Sequence, residues 1–235
     1  MLAAYRQSLL GSHRNVLLLF SVSALLSFSV TGGISDVLFN LYVLRLGFGP
    51  DTVGRISAVA LLGFSLGSLL AGWLGTVWSV RKTALAGLVL LLVGGLMVPL
   101  AVSVPIAERV AWLALCVLIG YIGLALYFVN ALPYLFQVTN LVNRGRIVAM
   151  ALAISTTAMV GGGLTGGVLP GLFALALGLT MDSAEPYRWT LALVPLFVLV
   201  AVLVFMQTRD LAGHAEQHAA VADAESEVRC QLCMV

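Results

Sequence analysis

The chain has 235 residues, 61% of them apolar and 9% charged, with a mean hydropathy of +1.07 and a formal net charge of +2. A soluble domain carries about a quarter charged residues, so this chain cannot cover its surface with polar groups. One lysine and a near-neutral balance leave no basic patch, so nucleic acid is excluded as a partner, and three cysteines, two of them in a polar tail, imply no disulfide framework.

Residues 1–15 read as a short N-terminus facing the cytoplasm. Arg6, His13 and Arg14 precede an apolar block longer than the roughly 7–15 residues of a signal-peptide core, so the block is expected to be a retained span. Six apolar blocks follow, at about 16–43, 53–77, 83–104, 109–138, 147–178 and 189–207. About 20 apolar residues cross about 30 Å of hydrocarbon, so the expected fold is an all-α membrane protein with six transmembrane helices and the lipid bilayer as its solvent. The first, fourth and fifth blocks exceed that length and should tilt, bend or protrude, with Gly32-Gly33, Pro133 and Pro170 as bend points.

The block at 54–75 matches that at 145–166 at eight of 22 positions without gaps: Gly54, Arg55, Ile56, Ala58, Ala60, Leu61, Gly72 and Gly75. Each copy is the second helix of a group of three, which predicts two three-helix repeats, 16–104 and 109–207. Arg6, Arg14, Arg81, Lys82, Arg144, Arg146 and Arg209 fall on one side of the predicted spans, and Arg45, Arg55, Arg109 and Arg188 on the other. The positive-inside bias puts both termini in the cytoplasm. Asp51, Glu108, Asp182 and Glu185 then lie in outer loops. Three spans per unit is an odd number, so the repeats should be inverted. Residues 208–235 change to a polar, Ala/Glu-rich tail expected on the cytoplasmic side.

Asp36 is the one acidic residue inside an apolar block. Asn40 lies one turn later on the same helix face, with Ser29, Gly32 and Gly33 on that side. A charge near mid-membrane costs about 2.5–3.5 kcal/mol on insertion scales, so it should face protein or a watery cavity. The competing reading places it near the outer interface. In the fourth block Tyr127, Asn130, Tyr134 and Gln137 share one helix face, as expected of a second cavity lining or of bonding to a neighbouring helix. Gly63/Gly67, Gly162/Gly166, Gly163/Gly167 and Gly167/Gly171 are small-xxx-small pairs suited to close helix approach. Gly63-Phe64-Ser65-Leu66-Gly67 spells a serine-nucleophile pattern, but His13, His214 and His218 all lie outside the spans, so no base is within reach and no enzymatic activity is expected. His214, His218, Cys230 and Cys233 are ligand types for zinc, but in reversed order and without an apolar core around them. The solvated-tail reading is preferred, with no metal and no cofactor.

Several stretches resemble the N-terminal six-helix half of the major facilitator superfamily, over about 14–207. Asp36 to Gly49 is similar to the first helix end and outer loop of bacterial members. Between the second and third blocks the family has Gly-x-x-x-Asp-Arg-x-Gly-Arg-Arg/Lys. Here Gly72, Arg81 and Lys82 remain, while Thr76, Val77, Ser79 and Val80 replace the other motif positions. Arg144-Gly145-Arg146 matches the Arg-Gly-Arg between the fourth and fifth helices, and Gly161–Gly171 with Pro170 is similar to the Gly/Pro-rich fifth helix.

The resemblance implies a secondary transporter of an unidentified small solute, working by alternating access in a bacterial inner membrane. Asp36, Asn40, Tyr127, Asn130, Tyr134 and Gln137 would line the pathway, and Gly72, Arg81, Lys82, Arg144 and Arg146 would serve the cytoplasmic gate or set topology. The family has twelve spans and this chain six, so the expected partner is a second half: another copy, or a separate C-terminal six-helix chain. The alternatives are a non-transporting membrane subunit or scaffold, and a truncated, inactive product.

Overall fold

A computed structural model describes residues 2–139 and 144–208, and side chains from residue 14 onward within those ranges except that of Thr76. His214, His218, Cys230, Cys233, Arg209 and the rest of the tail lie outside the described residues, as do the side chains of Arg6, His13 and Thr76. The described residues form helices α1 (Leu2–Ser29), α2 (Ile34–Arg45), α3 (Pro50–Val77), α4 (Val80–Met97), α5 (Ile106–Gln137), α6 (Arg144–Leu177) and α7 (Glu185–Met206), with a 3₁₀ turn at Val98–Ser103. Six stretches are long and apolar enough to cross a membrane: Arg14–Arg45, Pro50–Gly75, Val80–Ser103, Ile106–Gln137, Arg144–Leu177 and Glu185–Met206. The chain is an all-α integral membrane protein.

Of the three expected bend points, the chain interrupts its helix at one. Gly32 has φ +70°, a left-handed conformation that costs a residue with a Cβ about 1–2 kcal/mol. The first span is therefore two helices, α1 and α2. Helices α5 and α6 run unbroken through Pro133 and Pro170.

The sparse charges mark helix ends. Asp36, Asp51, Glu108 and Glu185 stand in the first turns of α2, α3, α5 and α7, where unpaired N–H groups favour negative charge. Arginines satisfy carbonyls at the other ends. Arg81 donates to the Met206 carbonyl (2.9 Å) and to Thr208 Oγ1 (3.2 Å) at the end of α7. Arg144 donates to the Phe136 carbonyl at the end of α5 (3.0 Å). Beyond α4, Arg109 donates to the Val102 and Val104 carbonyls, Arg188 to that of Pro99, and Trp112 Nε1 to that of Met97. In a span the carbonyls left over at a helix end have little water to turn to, so each such bond removes a desolvation cost.

Helix α5 is the centre of one packing group, touching both α3 and α4 along their lengths, while α1 and α2 pack against α6 and α7, and α4 meets α7 between the groups. Glycine lets the backbones approach. A Cβ on Gly87 of α4 would stand 2.6 Å from the Gly123 carbonyl oxygen of α5, and one on Gly94 would stand 2.7 Å from Gly120 N. These pairs make α4 and α5 antiparallel. Gly63 against Leu118 and Gly67 against Ile122 make α3 and α5 parallel, and Gly162 against Phe28 and Gly166 against Ile34 make α6 parallel to the first span. Arg109 and Arg144 lie at opposite ends of α5. The least enclosed helix is α6, which presents Leu152, Leu164, Val168 and Leu175 outward at 60–84% exposure, an apolar face suited to hydrocarbon or a second helical unit.

Candidate functional site

The break in the first span builds the site. Because Gly32 turns left-handed, its N–H points at the first turn of α2, and Asp36 Oδ2 accepts it at 2.7 Å. The carboxylate thus steadies the break with one oxygen. Its other oxygen has no hydrogen-bond partner among the described residues, and no cation among them pairs with Asp36.

Asp36 borders two cavities. One, of about 450 Å³, is walled by Ser35, Phe39 and Asn40 of α2, Ile56, Ser57 and Ala60 of α3, Gly94 and Gly95 of α4, Cys116, Gly120 and Tyr121 of α5, and Val194 and Val198 of α7. The other, of about 370 Å³, lies between Thr31, Phe64, Leu124 and Phe128. Val30, Asp36, Leu61 and Tyr121 border both. The Thr31 hydroxyl, beside the smaller cavity, is buried and has no hydrogen-bond partner among the described residues. Asp36 is the one charged residue of either lining, and neither holds Arg, Lys or His. A mostly apolar hollow with a few converging polar groups has the make-up of a small-molecule site.

The two stripes expected from sequence have different surroundings. Asp36 and Asn40 lie together on the cavity wall. Ser29 is fully buried and spends its hydroxyl on the Leu25 carbonyl (2.7 Å). Tyr127, Asn130, Tyr134 and Gln137 line neither of these two cavities. The reason is the central position of α5: a polar face on a helix surrounded by others meets helices. Tyr127 Oη lies 3.5 Å from Ser23 Oγ, and its ring meets Phe205 edge-on. Asn130 Nδ2 donates to the Leu126 carbonyl (2.9 Å), and its Oδ1 faces the bare Cα of Gly75. Tyr134 packs its ring on Phe205 (5.8 Å), and Gln137 is exposed at the helix end.

Sequence reasoning missed Thr31, Ser35, Ser57 and Tyr121. The face of α5 that does line the cavities is Val117, Gly120, Tyr121, Leu124 and Phe128, a regular helical stripe offset from the one chosen. Its signal is one tyrosine among apolar residues, too faint to outweigh four aligned polar groups.

Among the gate and topology residues, Arg81 and Arg144 are helix-end caps, as described above, and Arg144 also lies 5.1 Å over the Phe136 ring. Lys82 and Arg146 are exposed, and a Cβ on Gly72 would meet nothing within 4 Å. Ser65 of the nucleophile-like pattern donates to the Leu61 carbonyl of its own helix (2.9 Å), while Gly63 and Gly67 serve packing against α5. No protein-family model matches the chain, and no curated protein matches it.

Proposed function

We propose that the chain is a six-helix half of a secondary transporter of the major facilitator type, moving a small solute across the membrane by alternating access together with a second six-helix unit. That unit is another copy or a separate C-terminal half. The observation that carries the reading is the pair of cavities meeting at Asp36, a carboxylate within the first candidate span and held at its break. Intramembrane carboxylates and interrupted helices are costly, and both occur in transporters where solute or ion is bound.

The packing supports two inverted repeats. Exchanging the first span with the fourth, the second with the fifth and the third with the sixth turns the α3–α5 contact into that of α6 with the first span, and the α4–α5 contact into that of α7 with the first span. The contact of α4 with α7 maps onto itself. So do its arginine caps: Arg81 at the start of α4 holds the end of α7, and Arg188 near the start of α7 holds the turn after α4. Such a bundle rocks against its partner about the central site, with Arg81 and Arg144 at the cytoplasmic ends, both termini cytoplasmic, and the chain in a bacterial inner membrane. Protonation of Asp36 would couple solute movement to a proton gradient.

In reconstituted vesicles Asp36→Asn is expected to abolish coupled uptake and leave insertion intact. Unchanged proton-dependent flux would remove Asp36 from the mechanism. A second reading, a non-transporting membrane subunit, gains support from the α5 stripe, whose buried members serve packing rather than a pathway. Absence of flux with any second unit supplied would favour it.

A further inference from the structure

Charge and aromatic character together narrow the solute. The two hollows share a single charged group, Asp36, with one carboxylate oxygen bonded to the Gly32 N–H and the other without a protein partner among the described residues. Around it stand four aromatic rings: Phe39 in the larger cavity, Phe64 and Phe128 in the smaller, and Tyr121 in both. No arginine, lysine or histidine borders either hollow, so an anion would meet only the repulsion of Asp36. A sugar-like solute needs a directed partner for each hydroxyl, and the larger cavity sets Ser35, Asp36, Asn40, Ser57 and Tyr121 among otherwise mostly aliphatic walls. A cation with an apolar body satisfies what is present. The carboxylate supplies a counter-charge on the cavity wall, the rings supply negative faces, and the aliphatic walls take the rest.

We infer that the site at the broken first span binds hydrophobic organic cations, with Asp36 as the charge partner and Tyr121 as the aromatic wall common to both hollows. The inference rests on the cavity being the solute site proposed above.

The test is equilibrium dialysis of tetraphenylphosphonium against the full chain in lipid nanodiscs, with empty nanodiscs subtracted. Tetraphenylborate, the same shape with opposite charge, is the matched control. Saturable binding of the phosphonium and none of the borate is expected. Asp36→Asn keeps an oxygen to accept the Gly32 N–H and removes the charge. It should weaken phosphonium binding about 10- to 100-fold, the Coulomb attraction of a carboxylate for a cation about 6 Å away at an effective dielectric of about 20 to 40. Asp36→Glu should recover part of the loss. Tyr121→Leu leaves the break untouched and should weaken binding about 2- to 30-fold, the range of a cation–π contact. Equal phosphonium binding by wild type and Asp36→Asn overturns the inference, as does saturable borate binding. Flux of a neutral solute that competes with no cation also overturns it, while leaving the transporter reading intact. Asp36-dependent binding without flux in any assembly upholds the inference and overturns the transporter reading.

Discussion

Gly162 is where the packing account is most exposed to test. A Cβ there would overlap the Phe28 carbonyl at the end of α1, and that oxygen belongs to backbone already committed to the break before α2, so it has little room to move. Overpacking of this kind costs about 1–3 kcal/mol. Gly167, five residues on along the same helix, is exposed, and a Cβ there would meet nothing within 4 Å. Replacing either glycine by alanine gains about 1 kcal/mol of helix propensity, so Gly167→Ala reports that gain alone. The difference between the two variants isolates the clash. For a chain of this size 1 kcal/mol moves Tm by about 2–4 °C, so Gly162→Ala should melt about 2–12 °C below Gly167→Ala when unfolding of the purified protein in detergent is followed by circular dichroism. Equal melting temperatures would show that α6 does not seat on the first span at this point, and the placement of the break beside α6 would fall with it.

Gly32→Ala should cost about 1–2 kcal/mol for its left-handed backbone, plus the displacement of Met159, whose side chain a Cβ would overlap. Adding Met159→Ala should return the second part only, as read from thermal unfolding of the single and double variants. Arg81→Ala should loosen the end of α7 by about 1–2 kcal/mol, seen as faster amide exchange after residue 200 with exchange in α5 unchanged, because Arg81 satisfies the Met206 carbonyl. Tyr127→Phe should cost under about 1 kcal/mol, since its hydroxyl contact with Ser23 is 3.5 Å long, and should leave any Asp36-dependent binding intact. A double-mutant cycle on Arg45 and Asp182, which are 2.8 Å apart but exposed, should give a coupling below about 1 kcal/mol that shrinks as salt is raised.

The spans were legible because bilayer thickness imposes a length and apolar composition that few other constraints mimic. The break at Gly32-Gly33 was legible too, because a glycine pair inside an over-long apolar block has few other uses. Pro133 and Pro170 do not interrupt their helices: a proline in a spanning helix loses one donor, and neighbouring groups can compensate for that locally. The α5 stripe was legible as a shared face, but what that face meets was not. Polar periodicity reports which residues share a face, and only tertiary packing decides whether that face meets water or another helix. Tyr127 and Tyr134 meet Phe205, a residue of another span far along the chain, and no local pattern foretells that. The charges carried more information than a topology rule extracts from them. Arg81, Arg109, Arg144 and Arg188 lie at span ends as the loop count required, yet each also satisfies a carbonyl there, a role their spacing alone does not reveal.

Accessibility at the cavity wall tests the central claim most directly. In a background of Cys116→Ala, Cys230→Ser and Cys233→Ser, single cysteines replace Asn40, which lines the larger cavity, and its neighbour Leu41, which is 40% exposed and lines neither hollow. The two sit at nearly one depth on α2. With a membrane-impermeant thiol reagent applied to intact membranes, the account predicts rapid modification at position 40, slowed by tetraphenylphosphonium, and none at position 41. An inert position 40 beside a reactive position 41 would put water on the wrong face of the helix and contradict the site.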